Sequence, residues 1–315
     1  MRPAPFHRLP DDPASIARPF WLRAEDGVKL RGAHWTTGGA AGSVLLFPGR
    51  TEYVEKYDEV ATQLATEGYD VIALDWRGQG MSDRLLSDPR PGHVGRFRDY
   101  QLDVLELVVA AQERALPQPW HLLAHSMGGA IGLTALQDGL PVVSAVFSAP
   151  MFGLALSPAL RRLAGILSGG AQSIGLGSRA AIGSGGYEPL VLKTGFHDNL
   201  LTCDALRWGR MIREADAWPD LSIGGVTNHW LREALSECDR LAATDLPAIP
   251  TLITLGGDER IVSGAAIRQR IADWPGAQLL ELAGARHEAM MERDDIRDHF
   301  MTAAIAHFQA ASLAM

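Results

Sequence analysis

Cysteine is nearly missing from this chain: Cys203 and Cys238 are the two it has in 315 residues. Two cysteines exclude a disulfide framework and a cysteine-built metal site, and two free thiols are expected, with a single bridge as the alternative. No histidine or cysteine pair stands at ligand spacing, so neither a metal nor another cofactor is expected. Lysine is scarce too, and arginine carries the positive charge, which we read as compositional bias. Acidic residues outnumber basic ones, 37 to 29, for a net charge of −8. Without a basic block, a nucleic-acid partner is not expected. No apolar run is long enough to span a bilayer, and Met1 to Arg8 lacks a signal-like apolar core. A cytoplasmic protein is expected, with peripheral membrane contact left open.

What is present is a globular composition, 47% apolar and 21% charged, on a chain long enough to bury a sizeable core. Residues 1 to 17 are Pro-rich and polar and read as a loosely held tail. Phe20–Ala24 and Val28–Ala33 alternate apolar and polar residues around Asp26-Gly27, which predicts a hairpin. Buried strands are expected at 43–47, 70–74, 122–125 and 142–147. Between them, amphipathic helices follow from Val54, Tyr57, Ala61 and Leu64, and from Phe97, Tyr100, Val104, Leu107 and Ala111. This alternation implies a parallel sheet with helices on both faces, whose ligands bind beyond the carboxyl ends of the strands. From 151 to 240 the alternation stops, and a mostly helical insertion is expected to form a lid. Within it, Ser168 to Gly186 reads as a flexible linker. Strands resume at 251–255 and 278–282, and a helix marked by Ile296, Phe300, Ala303 and Phe308 follows. The expected domains are therefore a core from 1–150 and 241–315, and a helical lid at 151–240.

The chain is organised around Leu122-Leu123-Ala124-His125-Ser126-Met127-Gly128-Gly129. A strand, a sharp turn and a helix here would hold the Ser126 hydroxyl out at the sheet edge, as an activated nucleophile requires. Such a turn tolerates only small residues two before and two after the serine, here Ala124 and Gly128; the usual pattern has glycine at both. The competing reading is a serine that caps a helix. Two further loops at strand ends carry Asp258 and His287. Serine, acid, histidine in that chain order fits nucleophile, orienting acid and general base. Glu259 is the rival acid beside Asp258, and position in the loop favours Asp258. His125 should point away from Ser126 and be structural. Asp75 and Asp83 flank a Gly-rich turn and are expected to cap it. His197 and His229 are expected at the surface.

With Pro48-Gly49-Arg50-Thr51-Glu52-Tyr53, Asp75-Trp76-Arg77-Gly78-Gln79-Gly80-Met81-Ser82, His125-Ser126-Met127-Gly128-Gly129, Gly257-Asp258-Glu259-Arg260-Ile261-Val262 and His287-Glu288, the chain resembles α/β-hydrolases of the monoacylglycerol lipase and bacterial lysophospholipase group. Asn199-Leu200-Leu201-Thr202 and Asp204 add a weaker match in the lid. The resemblance implies an α/β-hydrolase fold and an oxyanion hole made by the backbone N–H groups of Arg50 and Met127, each such donor being worth about 3 kcal/mol. Pro48 stands where the group usually has histidine. Glu52 and Glu288 are expected to buttress the site through hydrogen bonds, and the Arg50 side chain to be solvated, an anionic head group being its alternative partner.

The expected function is hydrolysis of a carboxylic ester of a lipid-like small molecule, a lysophospholipid or monoacylglycerol, through an acyl-enzyme. Met151, Phe152, Leu154, Leu156, Leu160, Leu163, Ile166 and Leu167 would line an acyl channel or pack as ordinary core. Arg207, Arg210 and Arg213 recur at helical spacing and read as a solvated face, with a phosphate site as the alternative. Two other functions share these residues: a hydrolase fold kept as a ligand receptor with little turnover, and a haloperoxidase-like perhydrolase. Serine at 126 argues against epoxide hydrolases and dehalogenases, which want an aspartate there.

Overall fold

The structure is a computed structural model and describes residues 3–314. Eight strands form one sheet in the order β1-β2-β4-β3-β5-β6-β7-β8. Strands β1 (Ala17–Arg23) and β2 (Lys29–Trp35) are the antiparallel hairpin turned by Asp26-Gly27. β2 runs antiparallel to β4 (Tyr69–Leu74). All remaining pairs are parallel: β3 (Gly42–Phe47), β5 (Trp120–His125), β6 (Ser144–Ser148), β7 (Thr251–Gly256) and β8 (Ala277–Leu282). This is the mostly parallel sheet the alternation implied, in the α/β-hydrolase arrangement the resemblance implied.

Period-two geometry divides each central strand between two cores. Leu45 and Phe47, Ile72 and Leu74, Leu122 and Ala124, and Ala145 and Phe147 face one core; Val44 and Leu46, Val71 and Ala73, Leu123, and Val146 face the other. The first core is covered by α2 (Tyr100–Glu113), α3 (Met127–Gln137) and α8 (Gly264–Ala272), the second by α1 (Asp58–Thr66) and α9 (Asp294–Leu313). Sealed on both faces, a Leu or Phe here contributes roughly 1.5–3 kcal/mol by burial, which is why these strands read as unbroken apolar runs.

Between β6 and β7 lies the helical insertion: α4 (Pro158–Ser173), a single turn α5 (Leu190–Lys193), α6 (Ala205–Ala217) and α7 (Asn228–Ala243). Side-chain caps from Ser157, Asp204 and Thr227 start the three long ones. Three expectations are corrected here. The Gly/Ser-rich stretch is no linker: its first third completes α4, and Gly177 O and Arg179 O take the N–H groups of His229 and Asn228 at the start of α7. The tail is not loose either. Pro3 bridges Phe20, Leu9 is buried, and Asp11 and Asp12 pair with Arg213 and Arg210 on α6. Arg207 on the same helix meets Glu59, Asp204 and Asp294, so the arginine row is ion-paired along its length, and of the three only Arg213 keeps an exposed side chain. Among the described residues, no helix is long and apolar enough to cross a membrane. Cys203 and Cys238 are free thiols.

Candidate active site

Sheet order places the site. The chain moves outward from β3 to β4 and then returns to β5 on the other side of β3, so the crevice beyond β3 and β5 is where the loops part. Ser126 ends β5 there with φ 50° and ψ −116°, a left-handed conformation that costs a serine about 1–3 kcal/mol. Neighbours hold it in place: its N–H donates to Ser148 O at 3.0 Å, and its carbonyl accepts from Gly129 at 2.9 Å and Met151 at 2.8 Å. Glycine at 128 is a packing necessity, because a Cβ would overlap the carbonyl oxygens of Phe47 and Pro48 where α3 crosses the end of β3.

The Ser126 hydroxyl lies 2.8 Å from His287 Nε2, and His287 Nδ1 lies 2.8 Å from Glu259 Oε2. His287 is delivered by the loop after β8 and Glu259 by the loop after β7. The His287 and Glu259 side chains are 4% and 3% exposed, so the pair is shielded from water. The expectation of Asp258 in this position is corrected. In the turn after β7, the N–H of Asp258 donates to Ala285 O and that of Glu259 to Gly256 O, which turns the Asp258 side chain out to solvent and the Glu259 side chain in. Glu259 Oε1 accepts from the N–H groups of Ile261 at 2.6 Å and Val262 at 3.0 Å. Burial opposes its charge, but the hydrogen bond and charge of His287 and these two N–H groups outweigh burial and hold the carboxyl below its ordinary pKa.

Met127 N–H opens α3, where helical N–H groups have no intrahelical partner. Arg50 N–H lies in the loop after β3. Neither donates to a protein acceptor among the described residues. Gln79 braces the Arg50 loop, donating to Gly49 O at 2.8 Å and accepting from Thr51 N–H at 3.3 Å. Tyr53 ties the same loop to α6 through Glu214 at 2.7 Å. On the other side, Asn199 folds a turn whose Leu200 and Leu201 carbonyls accept from the backbone N–H groups of His287 and Glu288.

Beneath the serine and histidine lies a buried polar cluster. Lys56 Nζ donates to Glu52 Oε1 at 2.9 Å and to Glu288 Oε1 at 2.7 Å, and Tyr57 OH donates to Glu52 Oε2. His125 does point away from Ser126: its Nδ1 meets Ser148 O at 3.0 Å, its Nε2 faces Glu52 at 3.8 Å, and burial lowers its pKa to about 4. Burial raises the Glu288 pKa against the pull of Lys56, and Glu288 Oε2 has no hydrogen-bond partner. Glu52, His125 and Glu288 offer ligating atoms within 4.8 Å of one another. A divalent ion does not fit them, because the Lys56 ammonium already bridges the two carboxylates. Lys56 carried no sequence signal of its own, and Gln79 sits inside the Asp75–Ser82 stretch that carried the family resemblance without a role being assigned to it.

Ser126 and His287 open onto a cavity of about 560 Å³ between the sheet edge and the insertion. Its walls are mostly apolar: Met151, Leu154, Leu156, Leu160, Leu190, Val191, Met211, Ile223 and Trp230. Of the eight apolar residues singled out in sequence, Met151, Leu154, Leu156 and Leu160 line it. Phe152 packs against Phe147 and Trp274 in the core, while Leu163, Ile166 and Leu167 are exposed on α4.

The comparisons with known proteins agree with this geometry. The family described as "Serine aminopeptidase, S33" matches residues 38–294. Lysophospholipase L2 of Escherichia coli strain K12 is 35% identical over 278 residues, covering 84% of this chain and 79% of its own. Probable lysophospholipase L2 of Haemophilus influenzae is 30% identical over 269 residues, covering 84% and 82%. Among solved structures, a soluble variant of the monoglyceride lipase of Saccharomyces cerevisiae, in complex with a substrate analog, superposes with a TM-score of 0.74 at 19% identity, over 98% of this chain and 99% of its own. A sheet edge that presents a serine, a histidine and a carboxylate in series, and a family match running from β3 to α9, lead to one conclusion: this chain belongs to the serine aminopeptidase S33 family of α/β-hydrolases and is similar to the bacterial lysophospholipases.

Proposed function

We propose that the protein is a serine hydrolase that cleaves carboxylic esters of single-chain lipids, with a lysophospholipid or a monoacylglycerol as substrate. The observation that carries this reading is the hydrogen-bonded series Ser126–His287–Glu259 at the floor of an apolar cavity. In this reading Ser126 Oγ attacks the ester carbonyl while its proton passes to His287 Nε2. Glu259 keeps the Nδ1 proton in place and stabilises the imidazolium. Negative charge that develops on the carbonyl oxygen is met by the N–H groups of Arg50 and Met127. His287 then gives its proton to the departing alkoxide, leaving the acyl group on Ser126. Water enters, loses a proton to His287 and releases the fatty acid, and Ser126 regains its proton. The insertion at 151–240 serves as the cap that encloses the acyl chain, and Glu52, Lys56 and Glu288 keep the histidine loop and the oxyanion loop in register.

The test is hydrolysis of p-nitrophenyl esters of graded chain length, with a lysophosphatidylcholine and a monoacylglycerol alongside, by wild type and Ser126→Ala. Activity lost in the variant, together with lost labelling by a fluorophosphonate, is expected. Wild-type protein that is folded yet no faster than the variant on every ester would overturn the reading.

A further inference from the structure

Arg50 is a half-buried cation without an acid to balance it. Its side chain turns into the cavity, where Nη1 donates to Gly224 O at 3.0 Å and the guanidinium carbon lies 5.8 Å from the centre of the Trp230 ring. Among the described residues no carboxylate comes within ion-pair distance of it. Arg31, Arg77 and Arg297, which are withdrawn further from solvent, each reach two. Burial pulls its pKa down to about 10, with only the Tyr100 hydroxyl opposing. One neutral carbonyl leaves most of the five guanidinium donors without a protein partner, and a charge drawn partly out of water with no counter-charge favours an anion that can approach it. The arginine expected to be solvated is therefore drawn partly out of water, into the cavity wall.

What would complete this site is an anion bound in the cavity. The two lipid esters of the proposed function differ in that respect. A monoacylglycerol is neutral, whereas a lysophospholipid carries a phosphodiester three glycerol carbons from its ester oxygen. Arg50 has donors at both ends: its backbone N–H for the carbonyl oxygen, and a guanidinium one extended side chain away. Guanidinium is also the side chain best shaped to bind two phosphate oxygens at once. We propose that Arg50 selects the leaving group: with the scissile carbonyl at its N–H, its guanidinium takes the anionic phosphodiester of a single-chain phospholipid. This rests on the reading of Ser126 as the nucleophile of a lipid esterase.

Binding can be measured without hydrolysis. Full-length wild type, Arg50→Met, Arg50→Gln and Arg50→Lys would be titrated by calorimetry with the octyl ether of glycerophosphocholine and with octylglycerol ether, below micelle-forming concentrations. Inorganic phosphate would serve as a third ligand and as a competitor. Wild type is expected to favour the phosphate-bearing ether by about tenfold or more. Arg50→Met and Arg50→Gln should bring the ratio near one, and Arg50→Lys should keep part of it. Glutamine can still bond Gly224 O, so it serves where methionine fails to fold. A role confined to pinning the Gly224 loop would weaken both ethers alike and leave the ratio unchanged, which would overturn the proposal. So would equal binding of the two ethers by wild type, binding of neither, or binding of inorganic phosphate with no preference between them. Failure of the hydrolase reading looks different: the ether preference would persist while no ester is cleaved.

Discussion

Replacing Glu259 by glutamine should nearly abolish turnover, and replacing Asp258 by asparagine should not. The Glu259 carboxylate has two distinct oxygens. Oε1 accepts two backbone N–H groups, and Oε2 accepts from His287 Nδ1 at 2.8 Å. A glutamine must keep its carbonyl oxygen where the two N–H groups point, so its NH₂ falls opposite His287. The imidazole can then bond it only by turning Nδ1 into an acceptor, which places the ring proton on Nε2. In that tautomer the ring donates to Ser126 and cannot take its proton. The same error in a serine protease triad lowers kcat about 10⁴-fold, or roughly 5.5 kcal/mol of barrier. With the pair this well shielded, a loss of about 10³- to 10⁴-fold is expected here. The Asp258 side chain is exposed, and asparagine there should stay within about twofold. Steady-state kcat on a p-nitrophenyl ester gives both numbers, and circular dichroism confirms that both variants fold. If Asp258→Asn were the crippled variant and Glu259→Gln kept most of its activity, the assignment of the acid would be refuted, and with it the inward turn of the loop after β7.

Lys56→Met leaves two buried carboxylates sharing no cation, so it should cost about 3–5 kcal/mol in urea denaturation, and adding Glu288→Gln should recover part of the loss. Acid should weaken the fold through His121, which is buried between Ser144 and Ser312 with no carboxylate beside it. Its pKa falls by burial from 6.5 to about 4, so the unfolded chain takes up a proton first as pH drops. Stability should be fully present above pH 6.5 and decline toward pH 4, with a shallower decline in melting temperature for His121→Asn.

Local rules carried most of the fold into the sequence. Strands sealed on both faces appear as apolar runs, Asp26-Gly27 marks its hairpin, and Gly128 marks the close crossing of α3 over β3. The failures share a physical cause, which is that local pattern does not report long-range partners. Nothing near Arg210 and Arg213 announces that Asp12 and Asp11 will pair with them from the other end of the chain. Arg50 looked like any arginine in a loop, and the approach of Gly224 and Trp230 from the distant insertion, which draws it partly out of water, has no local signal. Glu259 and Asp258 are chemically alike and adjacent; a two-residue turn decides which faces in, and turns have no period to read. The row at Leu163, Ile166 and Leu167 has a helical apolar pattern like that of a core-facing helix, yet it is exposed among the described residues, which spacing alone does not report.

The hydroxyl of Ser126 and the ring that would activate it are 161 residues apart along the chain, with the whole helical insertion between them. During synthesis the elbow is complete long before its histidine exists. The N–H groups of Arg50 and Met127 can already stand in place, yet the serine remains an ordinary alcohol until β8 has added to the sheet edge and the loop after it has docked on the Asn199 turn. A chain that stops short, or misfolds in its last third, carries the proposed nucleophile with no base. In a protein whose proposed substrates are derived from membrane lipids, that order of assembly would keep incomplete copies chemically silent.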